Sequence, residues 1–215
     1  MAVANGYFRT PPVVKNLLLI NVIIFIAQEL LPVGPVMQYY GSLHFSAEGG
    51  LPFFLVHSYQ LVTYMFLHAD FGHLFSNMFT LWMFGRILEY DLGGRRFLIF
   101  YMLCGIGAGF IQLGVNWIEF LTGIGPAVAM TLGASGAVFG LLLAFAMFRP
   151  NSVIMLLFPP IPLKAKWFVI IYGALVLWAG VRGTGGNVAH FAHLGGMLIA
   201  FLLLKYWKKK GVIYY

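Results

Sequence analysis

Six stretches of this chain are apolar enough to read as helices in a lipid bilayer. They run at about Val14 to Leu31, Gly72 to Leu88, Phe97 to Val115, Ser135 to Phe148, Trp167 to Val181 and Val188 to Trp207. The pattern predicts an all-α, polytopic membrane protein, a six-helix bundle with both termini on one side. The fourth stretch differs from the others: from Ser135 to Phe148 a helix is roughly 21 Å long at 1.5 Å per residue, and a hydrocarbon core is about 30 Å thick. The polar run Arg149-Pro150-Asn151-Ser152 sets its far end at one face, so Ser135 starts roughly 9 Å below the other. A hydroxyl at the buried start of a short helix is costly unless water reaches it.

The basic residues orient the bundle. Arg9 and Lys15 precede the first stretch, Arg86, Arg95 and Arg96 flank the second connection, Arg149, Lys164 and Lys166 the fourth, and Lys205, Lys208, Lys209 and Lys210 close the chain. All fall on one face under a six-helix count and only Arg182 falls on the other, so both termini are expected to be cytoplasmic. The net charge of +7 is then an orientation signal facing anionic lipid and calls for no nucleic acid. Composition agrees: 61% of residues are hydrophobic, 9% are charged and the mean hydropathy is +0.89.

A single membrane domain is expected over 14–207, between a short cytoplasmic segment (1–13) and a basic cytoplasmic tail (208–215). Met1 to Pro12 has no apolar core of the kind a cleavable signal needs, so the first helix is expected to stay. The single cysteine, Cys104, precludes an intrachain disulfide. The external connection from Pro32 to Phe71 carries Phe53, Phe54, Leu55, Val56, Tyr59 and Leu61, so it is expected to lie in the membrane interface. The external connection from Asn116 to Leu132, rich in glycine and apolar residues, is expected to dip toward the start of the fourth helix.

Topology brings four polar side chains to one level in the external half. Ser135 opens the fourth helix, His73 and Asn77 sit one turn apart on one face of the second, and His193 lies roughly 8 Å into the sixth. A serine hydroxyl needs a neighbouring base to become a nucleophile, and neutral histidine suits that task near neutral pH. The tetrahedral intermediate then needs hydrogen-bond donors. Asn77, His73 and the backbone N–H groups at the start of the fourth helix can supply them. Gly133 and Gly136 let a substrate backbone come close, and Gly195 and Gly196 let the sixth helix pack against the fourth. No carboxylate is spaced to orient His193, so the expectation is a Ser/His dyad. Phe139, one turn after Ser135, is placed to stack on the imidazole. No metal or organic cofactor is required.

These motifs resemble the rhomboid family of intramembrane serine proteases, over nearly the whole chain from Val14 to Tyr206. Gly133-Ala134-Ser135-Gly136 is similar to the family's serine motif, His73-Leu74-Phe75-Ser76-Asn77 to its His-x-x-x-Asn motif, and Ala192-His193-Leu194-Gly195-Gly196 to its histidine motif. The resemblance implies Ser135 as nucleophile, His193 as general base and then acid, and His73 and Asn77 as oxyanion donors. It also implies a water-filled cavity open to the outside and substrates that are transmembrane proteins. With no transit peptide and no appended domain read in the sequence, the expected bilayer is a bacterial cell membrane.

The chain departs from the family pattern in places. Many relatives carry a Trp-Arg pair in the first external connection, and here neither residue occurs between Pro32 and Phe71, so that anchor must be replaced or absent. Gly196 and Ala200 stand in for a Gly-x-x-x-Gly contact, and Phe139 stands where some relatives have tyrosine. His68 is expected to hydrogen-bond the external connection and His190 to sit at the cavity rim. Two rival readings are a metal site built from His68, His73, His190 and His193, and a non-catalytic relative that binds transmembrane helices.

Overall fold

The structure, a computed structural model, describes residues 9–155, 160–182 and 189–214. Helix α1 (Pro12–Leu30) starts at a proline, whose missing N–H is no loss at the first helical position. No local side chain caps it. The cap comes from far along the chain: the buried carboxylate of Glu89 accepts the N–H groups of Val13 and Val14 at 2.9 and 2.7 Å. A negative charge at a helix N-terminus also meets the favourable end of its dipole.

The connection from Pro32 to Phe71 folds as α2 (Gly34–Gly41), strand β1 (Leu43–Ser46), α3 (Gly50–Val56) and α4 (Gln60–Thr63), the last running into a 3₁₀ turn over Tyr64–Phe66. With no Trp or Arg here, polar side chains hold the connection together. Gln60, 2% exposed, donates from Nε2 to the Tyr40 carbonyl at 3.0 Å and accepts the His44 N–H at 3.1 Å. Thr63 Oγ1 donates to the Gly41 carbonyl at 2.7 Å and the Tyr59 hydroxyl to the Tyr40 carbonyl at 3.1 Å. Gln28 ties the connection to α1, exchanging two hydrogen bonds with the backbone of His68 at 3.3 Å.

The second apolar stretch is helical for longer than its hydrophobicity predicts: α5 (Phe71–Thr80), a π-helical stretch over Leu81–Gly85, and α6 (Arg86–Leu92). Asp70 caps it by accepting the His73 N–H at 2.8 Å. Gly93, at φ +78°, makes the sharp turn into α7 (Gly94–Leu121), which begins before Phe97 and runs past Val115. Strand β2 (Val128–Thr131) follows and pairs antiparallel with β1, Leu43 opposite Thr131 and Ser46 opposite Val128. The connection that precedes Ser135 is thereby stitched to the first external connection. Then come α8 (Ser135–Phe148), a hairpin of β3 (Val153–Met155) and β4 (Pro162–Lys164), α9 (Ala165–Arg182) and α10 (His190–Lys209). The expected start of the last helix at Val188 lies outside the described residues.

The chain is thus mostly helical, with two short strand pairs in its connections. Among the described residues α1, α7 and α9 are long and apolar enough to cross a membrane, and α8 is an apolar helix too short to do so. Helix α8 is apolar all round and buried on nearly every side, as a central helix must be. Its neighbours come close through small residues. A Cβ on Gly136 would meet the Ala108 side chain at 2.5 Å, and one on Gly140 would meet Cys104 Sγ at 2.8 Å. A Cβ on Gly196 of α10 would overlap the Gly136 carbonyl oxygen. With no hydrophobic drive between helices in lipid, this close contact holds α8 between α7 and α10.

Candidate active site

Ser135 begins α8 directly after a glycine turn. Gly133 sits at φ +123°, where an L side chain is strained, and its missing Cβ leaves room for the His73 ring, whose Cε1 and Nε2 lie 2.7 Å from where that carbon would be. Ser135 Oγ is 3.8 Å from the same point, so hydroxyl and imidazole converge on one small space. From α10, the His193 ring brings Nε2 to 2.8 Å from Ser135 Oγ. Both residues are half-buried, packed yet open to a small reactant.

Phe139, one turn below Ser135, lies face to face with the His193 ring, centroids 4.2 Å apart and planes within 5°. The stack continues through Phe139 to Tyr172 and on to Phe168 of α9, at 5.2 and 5.6 Å. An aromatic wall therefore sets the plane of the imidazole. A neutral His193 that accepts the serine proton at Nε2 carries its own on Nδ1.

His73 flanks this space on α5, and Asn77 lies one turn further along the same helix. Ala69 N–H approaches His73 Nδ1 at 3.4 Å, so Nδ1 acts as acceptor and the ring proton sits on Nε2, the atom beside the Gly133 turn. Asn77 is 5% exposed, and its Nδ2 has no hydrogen-bond partner among the described residues. A buried amide donor left without an acceptor costs about 1–3 kcal/mol, and such groups are tolerated where function uses them.

Gly136 and Gly196 meet at the α8–α10 contact described above, whereas Gly195 faces α7, where a Cβ would meet Ile111 at 3.0 Å. His68 is fully buried beside His73, ring centroids 5.0 Å apart. Its backbone bonds Gln28, and the Phe66 backbone of the Pro32–Phe71 connection acts on its ring, which makes no other hydrogen bond among the described residues. Burial, with His73 adding to it, lowers its pKa to about 3 and keeps it neutral. His190 is edge-on to His193 at 6.4 Å. Among the described residues no group of His, Cys, Asp and Glu is arranged to hold a metal ion.

Three residues near the site escape motif reading. Tyr64 is fully buried; its carbonyl accepts the Gly133 N–H at 2.8 Å and its hydroxyl donates to the Gly105 carbonyl at 2.6 Å. Burial raises the pKa of that phenol. Gln112 and Asn116 are buried polar residues of α7, and Gln112 bonds the backbone of α10. The signal for the latter pair is a polar side chain and its i+4 partner in an apolar helix.

A helical membrane domain whose central short helix carries a serine hydrogen-bonded to a histidine of a neighbouring helix defines a narrow class of protein. The Rhomboid domain family model matches residues 56–209, and the chain belongs to the rhomboid family. It is 33% identical over 200 residues to the mitochondrial Rhomboid protein 1 of Saccharomyces cerevisiae, covering 91% of this chain and 54% of that protein. It is 32% identical over 222 residues to the chloroplastic Rhomboid-like protein 11 of Arabidopsis thaliana, covering 94% and 65%. It is also 32% identical over 152 residues to the rhomboid YdcA of Bacillus subtilis, covering 68% of each. The chain therefore spans about half to two-thirds of the length of these curated relatives.

Proposed function

We propose that this chain is an intramembrane serine endopeptidase that cleaves peptide bonds in, or just outside, the outer end of a substrate's transmembrane helix. The observation that carries the reading is the 2.8 Å contact between His193 Nε2 and Ser135 Oγ at the half-buried start of a helix too short to cross the bilayer. His193 takes the serine proton as Oγ attacks the scissile carbonyl. The oxyanion that forms is met by His73 Nε2–H, Asn77 Nδ2–H and the Ser135 N–H. His193 then passes the proton to the leaving amine, and water, activated by the same imidazole, hydrolyses the acyl-enzyme. No metal or organic cofactor takes part.

The substrate helix must unwind locally, because a helical carbonyl is sheathed by its own hydrogen bonds. The topology proposed with this function has six membrane segments over 14–207, both termini and the basic tail 208–215 cytoplasmic, and the site open to the external side. Its basis is the one-sided placement of Lys and Arg. The bilayer proposed is a bacterial cell membrane. The partners are transmembrane protein substrates and the surrounding lipid.

The test is labelling of the detergent-solubilised protein with a fluorescent fluorophosphonate. Labelling of the wild type that disappears in Ser135→Ala and in His193→Ala is the expected result. A folded wild type that resists both this probe and an isocoumarin overturns the reading and leaves a helix-binding relative without catalysis.

A further inference from the structure

Gln112 is a buried amide in an otherwise apolar part of α7, and both ends of it are committed. Nε2 donates to Asn116 Oδ1, one turn on, at 2.8 Å. Oε1 accepts the N–H of Ala192 in α10 at 3.0 Å. The first bond orients the second, since with Nε2 held by Asn116 the carbonyl end is the one turned to α10.

Ala192 is the third residue of α10, one before His193. The first N–H groups of a helix have no partner in the helix itself, and Ala189 at the N-cap offers no side-chain acceptor. Among the described residues of its own segment the Ala192 N–H reaches the Ala189 carbonyl, in a tight turn at 3.0 Å. Among the described residues a side-chain acceptor for this first turn comes from a different helix.

We propose that Gln112 is a positioning residue for the Ser135–His193 pair, fixing the height at which α10 begins and so the height of the His193 ring against Ser135. The proposal rests on the reading of that pair as a catalytic dyad. Besides the His193–Phe139 stack, α10 meets its neighbours near the site at glycine surfaces, Gly196 against Gly136 and Gly195 against Ile111. Surfaces without side chains fix how near two helices come and resist sliding along the axis weakly. A slide of one residue is about 1.5 Å, enough to take a 2.8 Å hydrogen bond out of range. A directional bond at the first turn supplies the axial constraint that smooth packing lacks.

The experiment uses the full chain in detergent and compares wild type, Gln112→Leu and Gln112→Glu. Three readouts are taken: the second-order rate of fluorophosphonate labelling, kcat and KM on a transmembrane peptide, and ¹⁵N-histidine NMR of the His193 ring, which reports its bond to Ser135 directly. Gln112→Leu should label about 10- to 100-fold more slowly, losing kcat with KM little changed, and its His193 signal should move to where Ser135→Ala puts it. Gln112→Glu, whose carboxyl oxygen still accepts from Ala192, should label within a few-fold of wild type, whereas Gln112→Leu should not. Labelling of folded Gln112→Leu at the wild-type rate with an unmoved His193 signal overturns the proposal. If Gln112→Leu does not fold, Gln112→Met takes its place, and a folded Gln112→Met that labels at the wild-type rate with an unmoved His193 signal overturns it. An unlabelled wild type whose His193 signal still moves in Gln112→Leu would refute the dyad as catalytic while sustaining the positioning.

Discussion

The carbonyl of Tyr64 holds the N–H of Gly133 at 2.8 Å, so the Pro32–Phe71 connection grips the backbone two residues before Ser135. That grip keeps Gly133 at φ +123° with its missing side chain turned to His73. Gly133→Ala should therefore strain the turn by about 1–3 kcal/mol and push the His73 ring aside. Fluorophosphonate labelling is expected to slow by about 10-fold or more while the chain remains helical by circular dichroism. Labelling at the wild-type rate would mean that His73 has room to yield.

Glu89 caps α1 from the opposite end of the second helical stretch. Glu89→Ala should strip two backbone N–H groups of their acceptor and lower stability by about 1–3 kcal/mol in thermal or denaturant unfolding, and Glu89→Gln should cost less because one acceptor remains. Labelling per folded molecule should be unchanged in both, since Glu89 takes no part in the site.

Asp91 and Arg149 form a bidentate pair at 2.8 and 2.9 Å, with the Asp91 side chain 14% exposed. Burial raises the Asp91 pKa and Arg149 lowers it, with burial the larger effect. The folded state thus holds this proton more tightly than the unfolded chain, and acidification through the carboxylate range stabilises the protein through this group. Arg149→Leu removes the opposing cation and raises that pKa further. Stability at neutral pH should fall by about 1–3 kcal/mol and recover as pH drops, and Asp91→Asn in the same background should abolish the recovery. A pH-independent loss in Arg149→Leu would show that the pair's charge is immaterial.

His68 predicts the opposite slope. Its folded pKa is lowered from 6.5 to about 3, so the unfolded chain binds this proton first and stability falls as pH drops from 6.5 toward 3. One such group contributes at most about 1.4 kcal/mol per pH unit. His68→Phe removes the group that titrates and should flatten the acid limb of the stability curve. An acid limb as steep as wild type in that variant would assign the sensitivity elsewhere.

Much of the layout is legible in the residues because bilayers impose lengths. The apolar stretches coincide with helices, and the serine and two histidine motifs, though far apart in sequence, converge because each opens a helix at the same end of the domain. What is not legible has two causes. Helix ends outrun hydrophobicity: α7 continues six residues past Val115 through Asn116, Trp117 and Glu119, because backbone hydrogen bonding tolerates polar side chains near a helix end. Long-range partners leave no local trace. The β1–β2 pairing joins strands far apart in sequence, and Gln112, Tyr64 and Glu89 act by bonding backbone groups, which every residue possesses.

The π-helical stretch at Leu81–Gly85 solves a problem of rotational phase. Asn77 and Glu89 belong to one continuous helical rod, and both point inward, at 5% and 3% exposure. In an uninterrupted α-helix twelve steps of roughly 100° would set them roughly 120° apart, one facing the bundle and the other turned toward lipid. One additional residue in a single turn takes back roughly 100° of that drift. The widened turn lets a single rod turn the Asn77 amide inward at one end and present a carboxylate to α1 at the other. Removing one residue from it would rotate Glu89 outward and unseat α1 without altering a single residue of the site.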